Sequence, residues 1–251
     1  MTTYPPLGTL KPVAERIWVV DGPAVICRRM PISTRATVVQ LSEGDLWVHS
    51  PTGLCDELRN ELATLGPVTH LVAPNWDHVE FLTDWREAYP QAWVWGVPSE
   101  GARGQGIAFD HSLGGETPWM TEISHLIVGG SKKYREAVFC HRPSATLIVA
   151  DLMQNFDTAR LPTWMRPLIW LAGTDDSDGK MPYLMRRRYN GAELGKSIEN
   201  MIDWNPRTLI LSHGNWYETG AVRELERAFK KLLHERQWSR AMDDVDKGAD
   251  R

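Results

Sequence analysis

The sequence is poor in cysteine. Three residues in 251, Cys27, Cys55 and Cys140, are too few for a disulfide framework, and none stands in the C-x-x-C spacing of a zinc or dithiol redox site. That places the chain in a reducing compartment. An excess of positive charge is also lacking: 28 Lys and Arg against 32 Asp and Glu leave a formal net charge of -4, no footprint for a phosphate backbone. Nucleic acid is therefore not the expected partner. No apolar run approaches the roughly 18 residues of a membrane span, and the opening Met-Thr-Thr-Tyr-Pro-Pro-Leu-Gly has neither the basic start nor the apolar core of a secretory signal. The expectation is a cytoplasmic protein without integral membrane association. No internal repeat is found.

What the chain does have is a 42% hydrophobic content and 12 tryptophans spread from Trp18 to Trp238, enough for a well-packed core. The stretches 15–26 and 37–49 are β-rich, the second broken by a hairpin turn at Glu43-Gly44-Asp45. Leu54, Leu58, Leu62 and Leu65 fall at helical steps, and Gly66-Pro67 ends them. A short apolar strand at 69–73 leads through Pro74-Asn75-Trp76-Asp77 to a second helical pattern carried by Phe81, Leu82, Trp85 and Tyr89. Strands follow at 92–97 and 123–128, separated by a loop containing Gly101, Gly104 and Gly106. A hairpin of 136–140 and 146–150 turns at His141-Arg142-Pro143-Ser144. Residues 194–204 read as a helix, 208–211 as a strand and 222–233 as a final amphipathic helix.

The hairpins argue against a purely parallel, doubly wound sheet, and two sheets with helices outside would bury the pattern. The expected fold is an α/β, four-layered αββα sandwich: one domain over 1–238, an insertion at about 157–190, and a polar tail at 239–251. In the insertion, Pro162, Pro167 and Pro182 interrupt a Trp- and Met-rich apolar segment that is followed by the acidic run TDDSD (174–178) and then by Arg186, Arg187 and Arg188. That segment fits a helix packed on the sheet, a lid, a dimer surface or a membrane-peripheral patch. The arginines fit an anion-binding role or a solvated face.

Three strands end in side chains able to bind metal. The 69–73 strand leads to Asp77-His78, the 146–150 strand to Asp151, and the 208–211 strand to Ser212-His213. Loops after strand ends converge on one edge of a sheet, where ligands are usually held. Imidazole with carboxylate suits zinc, iron or manganese. Taken singly, each has a structural reading: Asp77 as the N-cap of a helix beginning near His78, Asp151 as a strand terminator, His213 before Gly214 as a turn residue. Asn75 either contacts a substrate or begins the turn, and Trp76 is either cleft wall or core. His141, at the far end of the strand pair leading to Asp151, is expected in a turn, and Cys140 is expected buried and inert. His49, His70, His111, His125 and His234 form no useful spacing.

The runs APNWDHVEF (73–81), AVFCHRPSATLIVADLMQNF (137–156) and LILSHGN (209–215) resemble the metallo-β-lactamase-like superfamily, and within it the group called domain of unknown function 4336. The resemblance spans roughly residues 10–236. It implies the αββα fold and hydrolysis by water held on one or two metal ions. The superfamily's first metal motif, His-x-His-x-Asp-His, is only half present: its two earlier histidines fall on Ala73 and Asn75, and a further expected histidine is missing near Gly129-Gly130. What remains, Asp77, His78, Asp151 and His213, matches the second site, with Asp151 in the place of the metal-bridging aspartate. The resemblance thus implies one divalent ion (zinc, iron or manganese) completed by water. Asp77 and Asp151 are its catalytic carboxylates, and Asn75 and Trp76 meet a small-molecule substrate such as an ester, lactone, amide or phosphoester. Two alternatives stand beside this hydrolase: a degenerate member with no metal that binds a ligand or protein, and a non-hydrolytic iron or manganese enzyme. A homo-oligomer is compatible with all three.

Overall fold

The computed structural model describes residues 2–27, 29–98, 108–176 and 179–238. The loop carrying Gly101, Gly104 and Gly106 and the tail 239–251 lie outside them. Strands β1 (Lys11–Ala14), β2 (Ile17–Asp21), β5 (Arg35–Gln40), β6 (Leu46–His49), β7 (Val68–Ala73), β8 (Trp93–Gly96) and β9 (His111–Ser112) form a seven-stranded sheet in that order. Its first four strands are antiparallel and the rest parallel. The second sheet contains β10 (Ile123–Ile127), β11 (Ala137–His141), β12 (Thr146–Val149) and β13 (Thr208–Leu211), antiparallel except for the β12–β13 pair. A separate hairpin joins β3 (Val25–Cys27) and β4 (Met30–Ile32).

Alternation with period two explains the layering. On β2, β5, β6 and β11, Ile17, Val19, Val39, Trp47, Ala137 and Phe139 share one core with Ile148 and Ile210 between the sheets. The alternate residues of β5 and β6, Ala36, Val38, Leu46 and Val48, face outward into a second core with Leu58 and Leu62 of helix α1 (Asp56–Leu65) and Leu82 and Trp85 of helix α2 (Leu82–Ala88). Full burial of Leu58 and Leu62 stabilises this layer by about 1.5–3 kcal/mol each. A third core joins Val138, Leu147, Leu209 and Leu211 to helices α5 (Gly191–Asp203) and α6 (Ala221–Ala228). Asn190 starts α5 by accepting the amides of Ala192 and Glu193. These layers are the expected αββα sandwich.

Within 157–190 lie a 3-10 turn (Thr158–Arg160) and the short helices α3 (Arg166–Ala172) and α4 (Tyr183–Arg186). Met165 and Ile169 pack with Phe156 and Leu161 against Met30 and Ile32 of the β3–β4 hairpin. His141 ends β11 with Nδ1 2.8 Å from the Ser144 hydroxyl, the turn role expected for it. Cys140 is buried, and burial pushes its thiol up to about 11. No helix among the described residues is long and apolar enough to cross a membrane.

Candidate metal centre

Four strands deliver the site, two from each sheet: β6 and β7 from the larger, β12 and β13 from the smaller. The sheets are tied there by the Ala137 amide donating to the Pro74 carbonyl at 2.8 Å. His78, Asp151 and His213 each place one ligand atom within 4.8 Å of the others. His78 Nε2 lies 3.3 Å from Asp151 Oδ2, and His213 Nε2 lies 3.2 Å from Oδ1. The two imidazoles are tilted at 5.1 Å between ring centres.

Each imidazole is oriented from behind. Ser50, directly after β6 and held at φ 53, brings its hydroxyl 2.6 Å from His78 Nδ1. His213 Nδ1 lies 2.7 Å from the Ser33 carbonyl. A carbonyl only accepts, so Nδ1 carries the hydrogen and Nε2 is the atom turned toward Asp151. At 3.2 Å from Asp151 Oδ1, Nε2 meets the carboxylate either through a proton of its own or, as a lone pair, through a cation held between them. The donor set and its orientation fit a metal ion bound by two imidazoles and one carboxylate.

Asp151 is held from three further sides. Asn75 Nδ2 donates to its Oδ2 at 2.9 Å, and Gln154 Nε2 to its Oδ1 at 3.1 Å. Burial works against its charge, but the adjacent His78 and His213 bring its carboxyl well below the usual range. Behind it, the buried Glu136 carboxylate accepts the amides of Ala150, Asp151 and Leu152 at 2.8, 2.9 and 3.0 Å, fixing the backbone that leaves β12. Burial, and then the neighbouring Asp151, push Glu136 up to about 8 against those three amides.

The loop after β13 is built with equal care. Arg35 donates to the carbonyls of Leu211 at 2.8 Å and Gly214 at 2.6 Å while paired with the buried Asp21 at 2.7 Å. Gly214, at φ 90, lets the loop run against Asn155: an added Cβ would sit 1.9 Å from the Asn155 carbonyl oxygen. Phe156 stacks on the His213 ring with centroids 6.3 Å apart.

Of the residues singled out from sequence, the structure brings His78, Asp151 and His213 together. Asp77 is exposed and outside that cluster; helix α2 starts at Leu82 without a side-chain cap, so Asp77 does not cap it. Asn75 is buried and committed to Asp151 and to the Asp77 amide, which donates to its Oδ1 at 2.8 Å. Trp76 is half-buried against Phe109, with ring centres 4.7 Å apart. Sequence reasoning missed Glu136, Ser50, Gln154 and Arg35. Glu136 gave no local signal, because its amide partners lie 14 to 16 residues further on.

A family model described as domain of unknown function 4336 matches residues 14–167. Among solved structures, the chain is similar to the DIM-1 metallo-β-lactamase exposed to ceftazidime: TM-score 0.62, 13% identity, 91% of this chain and 97% of that one covered. It is also similar to the metallo-β-lactamase FIM-1 from Pseudomonas aeruginosa in its mono-zinc form (0.60, 11%, 91% and 95%) and to a metallo-β-lactamase from Hirschia baltica (0.57, 12%, 89% and 97%). No curated protein matches its sequence.

Proposed function

This chain belongs to the domain of unknown function 4336 family, and from that premise we propose that it is a metal-dependent hydrolase with a mononuclear centre on His78, Asp151 and His213. The observation that carries the reading is the convergence of one ligand atom each from His78, Asp151 and His213 within 4.8 Å of one another, with both imidazoles engaged through Nδ1 so that their Nε2 atoms are turned toward Asp151. The mono-zinc form of a similarly folded metallo-β-lactamase supports a single ion on this scaffold. A divalent ion bound there would supply Lewis-acid chemistry, making water acidic enough to act as a nucleophile near neutral pH.

The chain's own residues do the rest. Ser50 and the Ser33 carbonyl fix the direction of the two imidazoles, and Glu136, Asn75 and Gln154 fix Asp151. Were Asp151 only a weak ligand, it would instead orient the water as general base. Asp77, exposed in the turn that carries His78, is the group proposed to exchange a proton with the substrate. Trp76 with Phe109 offers an apolar wall. The substrate class is an ester, lactone, amide or phosphoester. A cytoplasmic location belongs to the same reading, supported by the scarcity of cysteine, three residues in 251.

Elemental analysis of protein purified without chelator or metal-affinity tag tests the centre. About one equivalent of zinc, iron or manganese is expected, lost in both Asp151→Ala and His213→Ala. No metal after reconstitution would refute the hydrolase and leave a binding protein. The two-imidazole, one-carboxylate set favours one second reading, a non-hydrolytic Fe(II) or manganese enzyme. Native iron with no activity on hydrolytic substrates would select it.

A further inference from the structure

Six of the eleven exposed large apolar side chains among the described residues fall between 164 and 184: Trp164, Leu168, Trp170, Leu171, Tyr183 and Leu184. The others are scattered singly, as on any soluble protein. Around α3 the spacing shows two apolar stripes. Met165 and Ile169 point inward to Phe156, while Trp164, Leu168 and Leu171, at steps of four and three, point outward. Trp170 is 68% exposed and Leu171 69%. A helix apolar on both sides is made to be covered on both sides.

The charges around these helices say by what. The chain is net -4, yet across 157–192 Arg160, Arg166, Lys180, Arg186, Arg187 and Arg188 stand against Asp157, Asp175, Asp176 and Asp178, a local excess of two positive charges. Asp157 is paired with Arg160, Asp175 is buried and Asp176 accepts from Thr158, whereas Arg186, Arg187 and Arg188 run together beside the exposed Tyr183 and Leu184. The two helices are drawn together where Gly173, closing α3, abuts the Lys180 side chain, so that an added Cβ would meet its Cε at 2.6 Å. On α4, Arg187 lies 5.8 Å over the exposed Tyr183 ring. Two copies meeting symmetrically through Arg186, Arg187 and Arg188 would oppose cation to cation. Exposed Trp and Tyr beside arginines match the interfacial region of a bilayer, and the run Arg186 to Arg188, in a stretch without acid from 179 to 192, matches its anionic headgroups.

We propose that the α3–α4 face docks the protein peripherally on an anionic lipid bilayer. Phe156, in contact with α3 through the Met165 and Ile169 cluster, also stacks on His213, so docking would set the metal centre close to the lipid surface. The reading is independent of whether that centre is catalytic.

Co-sedimentation of the full chain with vesicles of phosphatidylcholine alone, and of phosphatidylcholine with one-third phosphatidylglycerol, tests it. Binding to the anionic vesicles and weakening with salt are expected. Arg186→Gln, Arg187→Gln and Arg188→Gln together should lower partitioning about a hundredfold, and Trp170→Ser with Leu171→Ser at least about tenfold. The arginine variant changes only charge near the surface, and an unaltered circular dichroism melt separates lost docking from lost folding. No binding to anionic vesicles, equal binding to neutral ones, or unchanged partitioning in the arginine variant would overturn the proposal. So would a dimer in light scattering that ignores vesicles and dissociates in the Trp170→Ser, Leu171→Ser protein, which assigns the face to a second copy.

Discussion

Replacing Arg35 by methionine should cost about 4 kcal/mol of stability, and the figure can be assembled from its partners. The side chain is 3% exposed and its guanidinium forks onto Asp21, itself 5% exposed. Removing one partner of a buried pair costs about 3–5 kcal/mol. Lys11 stays 2.7 Å from the other Asp21 oxygen, which holds that part to the low end. The carbonyls of Leu211 and Gly214 lose their donor and add about 1 kcal/mol between them. Methionine preserves the apolar stem, so packing contributes little. Urea unfolding of the metal-free protein reads the loss directly. Arg35→Lys should recover only part, since one ammonium reaches either the carboxylate or the carbonyls. The loosened loop carries His213, so zinc affinity should also fall about 10–100-fold. A stability loss below about 1 kcal/mol with unchanged zinc affinity would refute the account of Arg35 as the clamp on this loop.

Gly214→Ala should be destabilising and abolish metal binding together, because the new methyl meets the Asn155 carbonyl and φ 90 disfavours any side chain; a protein melting within a degree of wild type would contradict this. Asn75→Asp removes a donor to Asp151 and adds a third carboxylate beside Asp151 and Glu136, so the metal-free variant should melt lower, and by more at pH 8 than at pH 5, where protonation relieves the repulsion. Burial lowers His70 and His141 to about 4. The unfolded chain therefore binds their protons first, and stability should be level above pH 6.5 and fall toward pH 4 by roughly 1.4 kcal/mol per pH unit for each. An acid slope unchanged in His141→Asn would remove His141 from that account.

The residues that local pattern reaches are those whose partners are near in sequence. The leucines of α1, the Gly44 turn and the hairpin around Pro143 were legible because helix, turn and strand periods are short-range. The convergence of His78, Asp151 and His213 was legible for a different reason: strand ends share an edge, whatever the strand order. That order, with β6 pairing in parallel to β7 and β12 to β13, is a matter of long-range register that alternation does not encode. Glu136 and Arg35 escaped for the same cause. A charged residue beside an apolar strand reads as solvent-facing, and only the assembled sandwich shows Arg35 reaching carbonyls 176 and 179 residues away. Over 157–190 the sequence shows an apolar, proline-broken stretch; which side of α3 is left open to solvent is decided by the β3–β4 hairpin against which the other side packs.

The division of the metal centre between the two sheets has a consequence for how the molecule assembles. Ser50 and His78 arrive on one half of the sandwich, Asp151 and His213 on the other, so neither half alone holds the ligand set. An ion bound there works as a rivet between layers: it binds the docked state and not a chain whose sheets have formed but not closed. Its binding energy would then enter the cooperativity of the whole domain, raising the melting temperature with ion concentration. Ion binding followed during refolding would time a single event, the closing of the sandwich.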